Sequence, residues 1–326
     1  MAILVVGGAG YIGSHMTAAL IESGAEAVVL DNMIKGHKSF IWPGAKFYEG
    51  NMQDTALLDK IFTENKISTV VHFAAHTVVP ESMADPAMYY DNNTVGSFAL
   101  LEAMRRHGVK NIVFSSTASV YGMPDTVPVT EEAAPQPINP YGESKLATER
   151  MLKWFGRAYG IKYVVFRYFN VAGAHESGKI GENHNPETHL IPIVIKTALG
   201  EFKELNLFGD DYPTPDGTCI RDYVHVMDLV DAHMLAVKRL ECGGQSSTYN
   251  LGSGTGFSNK EIVDAVKKVT GVDFTVNMKE RRPGDPPVLV ACSDKARREL
   301  GWTPTRTDME NIIRTAWKWH SKENER

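Results

Sequence analysis

Ile3-Leu4-Val5-Val6-Gly7-Gly8-Ala9-Gly10-Tyr11-Ile12-Gly13 lies at the head of the chain. Its apolar run reads as a buried strand, its glycines as a turn, and Tyr11 to Glu22 as a helix that stops at Gly24. That order gives each glycine a task. Gly7 makes the tight turn, Gly10 lets backbone approach a pyrophosphate, and Gly13 lets the helix pack on the strand. The helix N-terminus then receives the phosphates. Asp31 closes a second strand, Ala27 to Leu30, about 20 residues beyond the glycines, where a ribose-binding acid is expected. A carboxylate there accepts from a 2′-hydroxyl and repels a 2′-phosphate, which favours NAD over NADP.

Outward from this unit, strand and helix signals alternate. Strands are expected at Lys46 to Tyr48, Thr69 to Phe73, Asn111 to Ser116 and Tyr163 to Phe169. Helices are expected from Asp54 to Asn65, from about Pro86 to His107, and from Pro140 to Tyr159. The pattern predicts an α/β fold: a Rossmann-type doubly wound parallel sheet covered on both faces. After Asn170 the texture changes to loop-rich segments with helices near 190–199, 226–240, 258–269 and 308–320. Residues 1–169 read as an NAD-binding domain to which the chain returns near 222–250. Residues 170–326 read as a smaller, mixed α/β substrate domain.

Composition narrows the function. The 326 residues are 43% hydrophobic and 22% charged, as in an ordinary soluble globular protein. The formal net charge of -5 and the lack of a basic run argue against nucleic acid as a partner. No apolar run approaches membrane-spanning length, and nothing resembles a signal peptide, so a cytoplasmic protein is expected. Cys219, Cys242 and Cys292 are odd in number and widely spaced, which suggests neither a disulfide framework nor a metal site.

Tyr141-Gly-Glu-Ser-Lys145 suggests the chemistry. Asn139 as N-cap and Pro140 as first helical residue start a helix there. Tyr141 then sits in the first turn, and Lys145 lies on the same face. A free tyrosine titrates near ~10. One positive charge at ~5 Å, at an effective dielectric of ~20, is worth roughly 3 kcal/mol, or about two pKa units. With a second cation, the phenol would approach neutral pH and serve as a base.

Together these motifs resemble the extended short-chain dehydrogenase/reductase superfamily and, within it, the UDP-glucose (UDP-galactose) 4-epimerases. The likeness runs nearly end to end. It includes Gly-Gly-Ala-Gly-Tyr-Ile-Gly-Ser-His at 7–15, Phe-Ser-Ser-Thr-Ala-Ser-Val-Tyr-Gly at 114–122 and Pro-Tyr-Gly-Glu-Ser-Lys at 140–145. More specific are Arg-Tyr-Phe-Asn-Val-Ala-Gly-Ala-His at 167–175, Arg-Asp-Tyr-Val-His-Val at 221–226 and Arg-Arg-Pro-Gly-Asp at 281–285. The resemblance implies Tyr141, Lys145 and Thr117 as catalytic residues and NAD as cofactor. Gly7, Gly10, Tyr11, Ile12, Gly13, Asp31, Asn32, Asn51, Phe73, Ala74, Ala75, Asn92, Ser115 and Tyr168 would contact it, with Tyr141 and Lys145. Tyr141 would take the sugar 4-hydroxyl proton, directly or through Thr117. Hydride would pass from C4 to the nicotinamide and back after the 4-ketopyranose turns over. Thr117 stands where members often have serine, and it keeps the hydroxyl.

The same resemblance assigns residues 170–326 to UDP-sugar binding. Asn170, His189 and Leu190 would surround sugar and diphosphate, and Phe208 would pack near uracil. Arg221 and Arg282 would bind the diphosphate, Asp285 the uridine ribose, and Leu289 would gate the 2-substituent. Leucine is intermediate in size, so N-acetylhexosamine and pentose substrates stay open. Asn51 and Thr77 replace an aspartate and a lysine common in the family, which implies looser NAD retention. A sugar-nucleotide 4,6-dehydratase is disfavoured, because Ala118-Ser119 follow Thr117 where that chemistry uses an Asp-Glu pair. A non-catalytic NAD sensor is disfavoured by the intact tyrosine, lysine and hydroxyl. The resemblance also implies a homodimer paired through helices at 86–107 and 141–159.

Overall fold

The computed structural model describes residues 1–282 and 285–324. Pro283 and Gly284, within the 281–285 motif, lie outside the described residues. The strands in chain order are β1 (Ala2–Val6), β2 (Ala27–Asp31), β3 (Lys46–Glu49), β4 (Ile67–His72), β5 (Asn111–Thr117) and β6 (Lys162–Tyr168). Then come β7 (Asn170–Ala172), β8 (Leu205–Phe208), β9 (Ile220–His225), β10 (Ser247–Leu251), β11 (Gly256–Ser258), β12 (Val276–Lys279) and β13 (Val288–Leu289).

Seven strands form one parallel sheet in the order β10-β6-β5-β4-β1-β2-β3. Strand order reverses at β1, next to β4, which is the Rossmann arrangement. Alternate residues serve opposite faces. Leu4, Val6, Val70, Ile112 and Phe114 pack with Leu58, Leu101, Met104 and Leu152 on one side. Ile3, Val5, Val71, Val113 and Phe166 pack with Met16, Leu20, Leu229 and Val237 on the other. This is the doubly wound sheet expected from the sequence, with strand ends shifted by one or two residues.

One expected helix is broken. The stretch read as 86–107 divides into Pro86–Tyr89, a π-helical turn Tyr90–Val95, and Gly96–Arg106, with a further helix at Val79–Ala84. Side chains compete for its backbone acceptors. The Ser97 and Thr148 hydroxyls both donate to the Asn93 carbonyl, at 2.5 and 3.4 Å. Such competition widens a helical turn.

The second half builds two small sheets. β11, β9 and β13 pair in that order with β7 also on β9, and β8 pairs with β12. Most of these strands are two to four residues long, too short to announce themselves by alternation. Asp222 on β9 ties the segment before β11 and the one after β13 to the larger of the two small sheets. Its buried carboxylate accepts from Ser253 N–H and hydroxyl, both at 2.7 Å, from Gly254 N–H at 3.1 Å, and from Ala291 N–H at 3.0 Å. That clip fixes Arg221 beside Leu289 across the β9–β13 register.

Candidate active site

The C-terminal ends of β1, β2, β4 and β5 open onto a cavity of about 430 Å³, roofed by segments from the second half of the chain. A crevice at that end of a parallel sheet is where ligands of such folds bind.

The glycine turn forms one wall. Gly7 has φ +84°, and a Cβ on it would lie 2.6 Å from the Ala74 nitrogen. A Cβ on Gly13 would lie 2.1 Å from the Gly7 carbonyl oxygen. Neither position accepts a side chain. The helix beginning at Tyr11 has Gly10 as N-cap and no capping side chain, so its first N–H groups remain available to an anion. At the end of β2, Asp31 is 8% exposed and oriented by two backbone donors, Ala9 N–H and Met33 N–H, both at 2.9 Å. Burial raises its pKa, while those hydrogen bonds oppose the shift. A glycine cradle, an open helix terminus and a fixed carboxylate fit a dinucleotide with a free 2′-hydroxyl.

The opposite wall carries the candidate chemistry. Thr117 ends β5, and its Oγ1 accepts from Ser119 N–H at 3.1 Å. The Pro140–Tyr159 helix starts as expected, with Asn139 Oδ1 accepting from Gly142 N–H at 2.8 Å. This places Tyr141 and Thr117 together at the cavity. Lys145 Nζ, 3% exposed, donates to the Ser115 carbonyl at 2.8 Å and lies 4.9 Å from the Phe114 ring centre.

The electrostatics differ from the sequence expectation in one respect. Burial raises the pKa of Tyr141, with the Thr117 hydrogen bond lowering it by less. The lysine charge does not bring the phenol towards neutrality, because Lys145 is itself desolvated. Burial lowers Lys145 to about 7, against the opposing pull of Glu149. The Tyr168 and Ser115 hydroxyls are hydrogen-bonded to each other.

Most sequence-derived candidates reach this one cavity. Gly7, Gly10, Tyr11, Ile12, Gly13, Asp31, Asn32, Phe73, Ala74, Ala75, Asn92, Thr117, Tyr141, Lys145, Tyr168, Asn170, His189, Arg221 and Leu289 line it. Asn51, Ser115, Leu190, Phe208, Arg282 and Asp285 do not, although Gly50 and Met52 on either side of Asn51 do. Asn51 Oδ1 instead accepts from Gln53 N–H at 2.9 Å. Three of the others form a rim continuous with Arg221. The Arg221 guanidinium is 3.6 Å from Asp285, and the Arg282 guanidinium lies over Phe208, 4.1 Å from the ring centre. Arg221 also donates to the Ile220 and Pro286 carbonyls at 2.9 and 2.8 Å.

The sequence reading missed a second group of lining residues. Lys35, His76, Glu182, His184 and Asn185 face the cavity. Lys35 Nζ donates to the Asn185 carbonyl at 3.1 Å, and the His37 ring meets the Asn183 carbonyl at 2.9 Å. These bonds hold the 182–189 segment across the cofactor side of the cavity. His189 lies 2.9 Å from Glu182 and 3.0 Å from Glu187. Burial opposes its charge, but the Glu182 and Glu187 carboxylates outweigh that and raise its pKa to about 10. The histidines of Asn-His-Asn-Pro-Glu-Thr-His at 183–189 were the available signal, within a stretch read as loop.

The chain is similar over nearly its whole length to known proteins. Residues 3–252 match the model of the NAD dependent epimerase/dehydratase family. A protein of Lacticaseibacillus casei named UDP-glucose 4-epimerase is 54% identical over 325 residues, covering 100% of this chain and 98% of its own length. The crystal structure of a Brucella ovis UDP-glucose 4-epimerase in complex with NAD superposes with a TM-score of 0.94 at 46% identity, covering 96% of each chain. A Bifidobacterium longum UDP-glucose 4-epimerase in complex with NAD+ and UDP gives 0.93 at 39% identity, covering 99% of each.

Proposed function

We infer that this chain, which belongs to the NAD dependent epimerase/dehydratase family, is a UDP-glucose 4-epimerase that interconverts UDP-galactose and UDP-glucose through a transient 4-keto sugar. The observation that carries the reading is that Thr117, Tyr141 and Lys145 converge on the cavity that also holds the glycine turn, Asp31 and Arg221.

The glycine turn and the helix it starts would hold the pyrophosphate of NAD, and Asp31 its adenosine ribose. Bound NAD supplies the acceptor and then the donor of the C4 hydride and, when oxidised, a positive charge beside the phenol. Lys145, anchored on the Ser115 carbonyl, orients the nicotinamide ribose. Tyr141 takes the proton from the sugar O4, directly or through Thr117, and returns it after the ketone has presented its other face. Since burial raises the tyrosine pKa, the phenolate forms when the opposing charges are in place, which couples the base to the cofactor state.

The intermediate must turn without leaving, so the nucleotide should provide most of the binding energy. We assign this to the second half of the chain. Arg221 and Arg282 bind the diphosphate through their planar donor forks. Phe208 packs on uracil, Asp285 takes the uridine ribose, and Asn170, His189 and Leu190 adjoin the sugar. Leu289, facing the cavity beside Arg221, sets the room for the 2-substituent and leaves N-acetylated and pentose substrates within reach. On this reading residues 1–169 form the NAD domain and 170–326 the UDP-sugar domain, and β10 completes the sheet of the first from within the second.

A homodimer in the cytoplasm belongs to the same reading. Val95, Phe98, Trp154 and Tyr159 leave apolar surface exposed on helices beside each other, and Trp154 is 62% exposed. No described helix is long and apolar enough to cross a membrane.

The test is a coupled assay on purified protein without added NAD. UDP-galactose is supplied, the reaction quenched, and UDP-glucose then detected with UDP-glucose dehydrogenase and its NAD. Product establishes 4-epimerisation with a retained cofactor. Product only after NAD addition keeps the epimerase and shows loose retention at Asn51 and Thr77. No product under either condition overturns UDP-galactose as substrate.

A further inference from the structure

We propose that Glu182, His184 and His189, with Glu187 beside His189, form a binding site for a divalent transition metal of zinc type at the cavity wall. One ligand atom each from Glu182, His184 and His189 lies within 4.8 Å of the others. The Glu182 carboxylate is 3.4 Å from His184 Nε2 and 2.9 Å from His189 Nδ1, and Glu187 Oε1 is 3.0 Å from that same Nδ1. Donors at ~2.0–2.2 Å around a tetrahedral zinc ion stand about 3.4 Å apart. His184 already has that spacing from Glu182, and His189 needs to withdraw from Glu182 by about half an ångström. Two imidazoles and one carboxylate, with the fourth position open, are a donor set suited to zinc.

A plain ion pair accounts for the cluster less completely. His189 has one Nδ1 for two carboxylates. Glu187 Oε1 already accepts from Thr188 N–H at 2.8 Å and His189 N–H at 2.9 Å. Its Oε2 is buried without a hydrogen-bond partner, on a side chain only 3% exposed. Acceptors therefore exceed donors around His189, and a cation held by Glu182, His184 and His189 offsets that excess of negative charge. Neighbours hold the backbone on both sides. Trp319 Nε1 donates to the Glu182 carbonyl at 3.0 Å, Lys35 holds Asn185, and His189 begins the Leu190–Ala198 helix. Glu182, His184 and His189 all line the cavity, so a remaining coordination position would face a bound ligand.

The experiment uses the full chain with its bound cofactor, stripped of metal by a chelator and dialysed. Zinc is titrated calorimetrically, and cobalt is added in parallel as a spectroscopic probe. The expected result is one metal per chain, with the intense visible bands of four-coordinate cobalt. The double variant H184A/H189A should bind at least about 100-fold more weakly. E187Q keeps the side-chain volume and should weaken binding by about 10-fold or more. H107A, on the distant Asp59 surface pair, should bind as the parent does. Thermal melts and cofactor content confirm that each variant is folded. No zinc binding by the parent chain, or equal binding by parent and double variant, overturns the proposal. Sugar turnover is measured separately, so this outcome is independent of the epimerase reading.

Discussion

Lys145 and Glu149 sit one turn apart on the Pro140–Tyr159 helix, both almost wholly buried, and their surroundings could hardly differ more. Glu149 receives two N–H groups from Arg167, at 3.0 and 2.5 Å, and the Ser116 hydroxyl at 2.5 Å. Arg167 also donates to the Tyr121 phenol at 3.0 Å, and that phenol donates to Asn250 at 2.7 Å. The Arg167 pKa rises because the pairing with Glu149 outweighs the cost of burial. Lys145 has a backbone carbonyl and an aromatic face in place of a bonded carboxylate, and its pKa falls. One helix thus carries a satisfied pair that locks the frame and an under-compensated charge at the cavity. Only the second kind of group can change its proton affinity when a ligand arrives.

Breaking the cavity side should produce the largest kinetic effect. Tyr141→Phe removes the acid and base and keeps the ring that packs edge-on near Tyr89. Turnover of UDP-galactose should fall about 10²- to 10⁴-fold. Bound NAD and the melting temperature should remain near the parent values. A variant that retains most of its rate would remove Tyr141 from the mechanism.

Breaking the frame side should show in stability. Arg167→Ala leaves the Glu149 carboxylate buried without its partner, at a cost of about 3–5 kcal/mol. Denaturant unfolding reads this directly. Replacing both members by methionine should recover most of the loss, since a buried pair often stabilises no more than a well-packed apolar substitute. If the double variant is as unstable as the single one, the network is holding the helix against β5, β6 and β10 in a way that packing cannot replace.

Arg221→Ala tests the rim with a smaller effect. It removes charge-assisted hydrogen bonds worth about 1.5–3 kcal/mol each. On the proposed reading, KM for the UDP-sugar rises about 10- to 100-fold while kcat changes less, because the diphosphate is held equally before and during reaction. A fall confined to kcat would move Arg221 from holding the nucleotide to assisting the chemistry.

The same contrast explains what the sequence made legible. Glycines three apart, an acid at a strand end and a tyrosine four residues from a lysine are local patterns. Their spacing alone places them on a turn, a strand terminus and one helix face. The parallel sheet was legible because its strands are continuous apolar runs. The Glu149–Arg167–Tyr121–Asn250 network was not, since it joins residues far apart in the chain. Nor were β7, β9, β11 and β13, strands of two to six residues that pair with one another from distant parts of the chain. The raised pKa of Tyr141 was missed for a physical reason. Helix position brings Lys145 near, but depth of burial decides both pKa values, and no spacing rule reports depth.

Lys145→Met gives the finest test. Turnover should fall as for Tyr141→Phe, yet stability at neutral pH should hold or rise slightly, since methionine fills the site with no charge to desolvate. The pH dependence separates this from a fortuitous packing gain. In the folded chain Lys145 loses its proton near pH 7, whereas in the unfolded chain it keeps it until about 10.5. Between those values the unfolded state binds more protons, so this group makes the parent more stable as pH rises through the window. The variant lacks that contribution, and its advantage should be greatest below pH 7 and shrink towards pH 10. Unfolding midpoints of both proteins across pH 6 to 10 measure the difference. Parallel curves would mean that Lys145 keeps its charge in the folded chain, held by a partner as Arg167 is, and the contrast between the two sites would disappear.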